Sequence, residues 1–316
     1  MVENALSPQA PQAAQKTRPP ELPKLLTPRQ TSLRAVGMVF GAEIVIGVLW
    51  ALSQSAWLAL GLFVGAAMLW GRQRRGNLQA AMTANERARE FLDLGALDDA
   101  EAVLDEVLAS RRTPPSIRCF AAYYRALTSL RRGDYADARA RLHGVLDSQW
   151  VNNGRTLQGI APGVYASMAL AATLDGDLED AERWRELGRR SPASLERHWF
   201  VSDAYVLARR QRWTELLEFL ERHQDAIEGT VSGVGIRQLQ LLKAFALTQL
   251  QEREDNYRGL HSGEDIHAML HGTRRGRFDH IAKRWPELRA FMAAHHLLAE
   301  PFDETSGDPL ALDSAG

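Results

Sequence analysis

Cysteine is nearly missing from this chain: Cys119 is the only one in 316 residues. That excludes an intrachain disulfide framework and a cysteine-based zinc site, and it fits a reducing compartment. No cysteine precedes residue 119, so no thiol is placed to carry an N-terminal lipid. Lysine is almost as scarce: Lys16, Lys24, Lys243 and Lys283 stand against a large excess of arginine. That excess, with abundant alanine and glycine, suggests a high-GC bacterial coding sequence. Net charge is only −1 at pH 7, so no global field draws the protein to nucleic acid. The arginine doublets, such as Arg111/Arg112, Arg131/Arg132 and Arg209/Arg210, mostly close helical segments, where they suit the dipole. No nucleic-acid partner is expected. Runs of alternating strand residues are missing after residue 79, which leaves helix as the regular structure. There is no glycine-rich phosphate loop, no G-x-S-x-G and no framed pair of carboxylates. The expectation is a non-enzyme without catalytic residues, cofactor or metal.

Charge is also missing from one long stretch. Between Arg34 and Arg72 the sole ionisable side chain is Glu43. Residues 35–70 form an apolar run of 36 residues, about 54 Å as one helix. A bilayer core of ~30 Å needs roughly 20 residues. The run is therefore read as two arms, broken at Ser53, Gln54 and Ser55. Trp50 and Trp57 flank the break and Trp70 marks the exit, as interfacial indoles do. Lys24, Arg29 and Arg34 precede the run and Arg72, Arg74 and Arg75 follow it. Both ends then face the cytoplasm. Residues 34–71 are expected to be a transmembrane helical hairpin in a bacterial inner membrane, with the N-terminus and the rest of the chain cytoplasmic. Gly37/Gly41 and Gly61/Gly65 are small-xxx-small pairs that suit close helix packing or a homodimer. Glu43, midway down the first arm, is the costly residue of this segment. More than 30 polar, proline-rich residues precede the run, which is a poor fit to a secretory signal.

The flanks are simpler. Residues 1–33 hold six prolines among Ala, Gln and Thr and are expected to form a disordered leader. Residues 72–82 read as a basic linker.

Beyond the linker the chain repeats. Gly95-Ala-Leu-Asp-Asp-Ala100, Gly133-Asp-Tyr-Ala-Asp-Ala138 and Gly176-Asp-Leu-Glu-Asp-Ala181 share one pattern, and Gln211 to Leu216 makes a fourth copy. Seven residues before each marker lie Ala88, Ala126, Ala169 and Ala204, and nine after lie Leu104, Leu142, Arg185 and Leu220. The small residue lets a neighbouring helix approach. The glycine supplies a left-handed turn. An acidic residue then opens the next helix. Each copy predicts an antiparallel helix pair stacked on its neighbours.

This pattern resembles the tetratricopeptide repeat (TPR) family over residues 83–228. The spacings of 38, 43 and 35 residues depart from the family's period of ~34. Arg87, Arg125, Met168 and Asp203 stand where an apolar residue often precedes the small one, and Arg185 replaces an apolar position. The resemblance implies an all-α fold, a TPR-like α-solenoid of about four helix pairs with C-terminal capping helices at residues 229–298; it follows the expected transmembrane hairpin, and the acidic, Pro- and Ser-containing residues 299–316 read as a disordered tail. It also implies a concave face that binds a protein or peptide. The residues projected onto that face are Tyr123, Leu127, Leu130, Arg131, Leu170, His198, Val201, Tyr205 and Arg209. They do not form the Lys/Asn clamp that some members use for chaperone carboxylates.

Six of nine histidines fall at or beyond His261. His267 and His271 share a helix face, but Ala268-Met269-Leu270 supplies no glutamate between them, so a metalloprotease is not indicated. The sequence reading is a membrane-anchored scaffold that holds partner proteins. The alternatives are a transport or secretion subunit using Glu43 and, behind it, a metal-dependent enzyme using the histidine-rich end.

Overall fold

The structure, a computed structural model, describes residues 41–48, 56–148, 150–153, 160–253 and 263–299. The proline-rich leader, Gly37 and most of the first apolar arm, the break at 53–55 and the tail beyond 299 lie outside the described residues. Within them all regular structure is helical, with no strand. Residues 41–48 are helical.

Helix α1 (Ala56–Leu94) is 39 residues long, about 58 Å. It carries the second apolar arm and continues through residues 72–82, so the basic linker is part of one helix. Arg, Gln, Leu, Ala and Met are good helix formers, and the single Gly76 costs only about 1 kcal/mol. Its buried residues begin at Ala81 and continue at Asn85, Ala88 and Leu92. That is a helical stripe of 3.6-residue period. From residue 60 to residue 80 no side chain is buried. The apolar part, residues 56–71, covers about 24 Å. Among the described residues no helix is long and apolar enough to cross a membrane.

Four antiparallel pairs follow from the C-terminal half of α1. It pairs with α2 (Leu97–Ala109). Then come α3 (Pro115–Arg131) with α4 (Tyr135–Asp147), and, after the short α5 (Trp150–Asn153), α6 (Ala161–Asp175) with α7 (Leu178–Arg189). The fourth pair is α8 (Phe200–Arg209) with α9 (Trp213–Arg222). Each pair turns at a marker residue with positive φ: Gly95 at 85°, Gly133 at 70°, Gly176 at 95° and Gln211 at 58°. All four turns close by the same two hydrogen bonds. In the first, Gly95 N donates to Leu92 O and Ala96 N to Phe91 O; in the fourth, Gln211 N donates to Ala208 O and Arg212 N to Leu207 O. This is the Schellman arrangement, which satisfies the last carbonyls of the first helix. Asp134 and Asp177 then cap α4 and α7 by accepting from Asp137 N and Asp180 N. The small residues Ala88, Ala126, Ala169 and Ala204 are all fully buried, as are Ala100, Ala138, Ala181 and Leu216.

The chain continues through α10 (Gln224–Thr230), α11 (Gly233–Arg253), α12 (Gly263–Leu270), α13 (Asp279–Ala282) and α14 (Pro286–Ala294). Helix α11 supplies Leu241, Leu242, Phe245 and Ala246 to a core shared with α8, α9 and α14. Pro286 starts α14 at its first helical position, where no N–H is needed.

Candidate functional site

Two regions of the array compete for a functional reading. The first is the partly exposed face of α3 and α6. Tyr123 and Tyr124 lie with ring centroids 5.7 Å apart, and the Tyr123 hydroxyl is 3.4 Å from Ser167 Oγ. Gly163 makes room for it: a Cβ there would sit 3.2 Å from the tyrosine oxygen. Burial raises the pKa of both tyrosines, so both stay neutral hydrogen-bonding groups. Tyr123, Leu127, Leu170 and Val201 are all half-buried, with Leu127, Leu170 and Val201 resting on the larger core cluster. These four residues retain surface that a partner can touch.

The other expected groove residues lie elsewhere. Leu130 and Tyr205 belong to the core; Tyr205 is fully buried and its hydroxyl has no hydrogen-bond partner. His198 lies in a single 3₁₀ turn, where its Nδ1 accepts from Leu195 N at 3.0 Å. Burial, aided by Arg197, lowers its pKa. Arg131 donates to Leu92 O and lies 3.6 Å from Asp93 Oδ1. Arg209 donates to Thr173 O at 3.3 Å and Arg284 O at 2.6 Å, and its guanidinium lies 4.6 Å from the Trp285 ring centroid. Both arginines are committed to internal bonds.

Those bonds reveal the second region. Residues 277–285 run along the edge made by the four marker turns and touch each in order. Arg277 donates to Asp93 O at the first turn. At the second, Tyr135 donates to His280 O, and Lys283 lies over Gly133. Arg284 pairs with Asp175 at the third. At the fourth, Arg209 holds Arg284 O and Trp285. Burial, followed by the charge of Arg131, lowers His280 to about 3. Burial pushes Tyr135 up to about 12. The capping segment is thus a strap across the whole array. Sequence reasoning placed a terminal cap here but missed the strap. The available signal was the aromatic density of Phe278, Trp285 and Phe291, which exceeds what an isolated polar cap needs.

A small cleft of about 230 Å³ between strap and array is lined by Arg132, Asp279, His280, Lys283, Arg289 and Leu298, among others. It is smaller than a typical ligand pocket of ~300–1,000 Å³. Among the described residues no three His, Cys, Asp or Glu side chains gather as for a metal ion. His267 and His271 are both exposed. Cys119 is buried, and desolvation pushes its thiol up to about 11, which keeps it protonated and unreactive at neutral pH.

The apolar arm presents a different surface. Leu60, Leu62, Phe63, Val64, Met68, Leu69 and Trp70 are exposed, as are Ile44, Val45 and Val48. Glu43 is exposed among the latter. Gly41, Gly61 and Gly65 have no described atom within 4 Å of an added Cβ, so no close helix contact forms at these glycines within the described residues.

Comparison with family models, with curated proteins and with solved structures finds no match.

Proposed function

We propose that the protein is a membrane-anchored helical-repeat scaffold of TPR type, with the array on the cytoplasmic face of a bacterial membrane. The observation that carries the anchoring is the distribution of exposed apolar side chains on α1. At 100° per residue, Leu60, Leu62, Phe63, Val64, Met68, Leu69 and Trp70 cover every side of the helix. One protein partner covers one side; lipid covers all of them. An apolar sleeve of this kind left in water is far larger than the patches that monomers tolerate. The helix alone is about 6 Å short of a ~30 Å core. The hairpin reading supplies a second arm, and Arg74, 5.2 Å from the Trp70 ring centroid, suits a headgroup layer that thins around it.

The scaffold half of the reading rests on the face of Tyr123, Leu127, Leu170 and Val201, which is apolar and aromatic with one hydroxyl at its centre. It suits an extended peptide or an amphipathic helix from a partner protein. Crosslinking and pull-down from intact membranes tests this, with Tyr123→Ala/Leu170→Ala beside the unaltered chain. Specific partners lost in the double variant, with the protein still in the membrane fraction, are expected. Identical partners in both would refute the groove. Extraction of the unaltered protein by sodium carbonate would refute the anchor. Glu43 supports the transport alternative only if Glu43→Gln leaves localisation intact and abolishes transport.

A further inference from the structure

We infer that the loop between α2 and α3 docks on anionic lipid headgroups, fixing the array against the membrane surface rather than leaving it to hang from α1. This rests on the anchoring reading above. The sequence alone places basic residues beside the apolar arm; the fold adds a second group on the same edge of the array.

Helices α1 and α3 run in the same direction. Asn85 Nδ2 of α1 donates to Ile117 O of α3 at 3.3 Å, and Arg131 of α3 donates to Leu92 O. The start of α3 therefore lies beside the first buried turns of α1. The connection at residues 110–114 is on the same edge of the array as the apolar sleeve. The marker turns and the strap are on the opposite edge. Six residues separate Ala81, the first buried residue, from Arg75, and ten separate it from Gly71. The apolar boundary stands about 15 Å above the array, and Arg75 about 9 Å. The headgroup region occupies ~5–8 Å on each side of the hydrocarbon core. Extended arginine side chains on the loop span the remaining distance.

Basic residues gather on this edge beside α1. Arg72, Arg74 and Arg75 on the helix are joined by Arg111 and Arg112, both exposed, and by Arg118 one turn into α3. Among the described residues Arg111 and Arg112 form no ion pair. Glu106 and Asp147 are the nearby acids at helix ends. Several arginines elsewhere are held internally: Arg125, Arg132, Arg139, Arg185 and Arg284 all pair with carboxylates. On the opposite edge the acids Asp93, Asp98 and Asp175 at the turns are met by Arg131, Arg132 and Arg284. In the later connection at residues 190–199, Arg190 pairs with Glu186. The α2–α3 loop is the connection nearest α1, where the lever arm is shortest. Phosphate oxygens in a lipid surface match arginine forks, and each basic residue near such a surface strengthens attachment roughly fivefold.

The experiment uses the full chain reconstituted into vesicles of phosphatidylcholine alone and of phosphatidylcholine mixed with phosphatidylglycerol. A donor dye on Ala109→Cys reports energy transfer to a headgroup-labelled acceptor lipid; Asp99→Cys, on the far edge, is the reference. Buried Cys119 takes no dye under native conditions. Transfer from position 109 is expected to rise in the anionic vesicles and to fall back at ~1 M salt, where the screening length is ~3 Å. Transfer from position 99 should change little. Arg111→Gln/Arg112→Gln should shift the ratio of docked to undocked molecules by roughly 25-fold and remove most of the gain; Arg111→Glu/Arg112→Glu should remove it entirely. Both positions are exposed, so folding is retained. Equal transfer in neutral and anionic vesicles, or an unchanged gain in the glutamate variant, would overturn the inference while leaving the anchor intact. Failure of the unaltered chain to float with either vesicle would overturn the anchor, and the inference with it.

Discussion

The fourth marker turn offers a test in which two opposite signs must appear. Gln211 holds φ at 58° in the place where the other copies have glycine. A side chain in the left-handed region costs about 1–2 kcal/mol. Gln211→Gly removes that strain but makes the unfolded chain more flexible, which returns about 0.5–1 kcal/mol. The net expectation is a gain of about 0.5 kcal/mol. Gly95→Ala is the mirror experiment: φ is 85° and no atom lies within 4 Å of the added Cβ. Only the backbone term acts there, so a loss of about 1 kcal/mol is expected. Gly133→Ala should lose slightly more, because its Cβ would sit 2.6 Å from Lys283 Cδ and force that side chain to move. Urea unfolding followed by far-UV circular dichroism measures all three, as midpoint shifts at constant slope. The order Gln211→Gly, unaltered, Gly95→Ala, Gly133→Ala from most to least stable is required. A destabilised Gln211→Gly together with a neutral Gly95→Ala would refute the shared turn geometry.

Three further outcomes follow from the packing. Asp203 is held by Arg185 at 2.7 Å and Arg189 at 2.6 Å; Asp203→Ala should cost about 3 kcal/mol by stranding the buried end of Arg185, whereas Asp203→Leu/Arg185→Leu should recover most of it in the same unfolding assay. Trp285→Ala should cost about 3–5 kcal/mol by emptying the site between Arg209 and Phe245, and amide exchange at 277–285 should rise with it; unchanged exchange would refute the strap. His280 stays neutral in the folded chain down to about pH 3, while an unfolded histidine protonates near 6.5. Below that value the unfolded state binds the extra proton, so stability is full above pH 6.5 and falls as pH drops toward 3, by up to about 2 kcal/mol at pH 5; His280→Gln should flatten this part of the profile, and an unchanged profile would refute it.

The helix pairs were legible because their signals are local. A residue that must adopt positive φ is nearly always glycine, and the small residues that bring helices together recur at fixed distance from it. Gln211 was placed by spacing alone, against its residue type. The groove was legible only in part. Projecting one helix face from Ala126 or Ala204 finds Tyr123 and Leu127 but also gathers Tyr205 and Arg209. Their surroundings are set by α11 and the strap, which lie up to 75 residues away. No periodicity carries that information. The unbroken α1 was missed for a related reason: a change from apolar to basic composition looks like a boundary, yet the backbone only registers that Arg, Gln and Leu all favour helix.

The polar residues that depart from the repeat pattern turn out to answer one another. Arg125 of α3 faces α2, where it binds Glu101 and Asp105. Asp203, at the equivalent position of α8, is gripped by Arg185 and Arg189 of α7. Met168, at that position of α6, is apolar and buried in the same cluster as Leu142 of α4. The three junctions between pairs thus carry acid against arginine, apolar against apolar, and arginine against acid. Burial opposes the charge on both: it lowers Arg125 to about 10 and raises Asp203 in spite of its two arginines, so desolvation offsets much of what the pairing contributes. What they add is discrimination. Helix α8 stacked on α2 would set Asp203 against Glu101 and Asp105, and α3 stacked on α7 would set Arg125 against Arg185. Four pairs built on the same glycine and alanine frame are otherwise interchangeable, and a buried charge with the wrong neighbour is the strongest available penalty against misordering. The departures that weaken the sequence pattern are therefore the features that fix the order of the array.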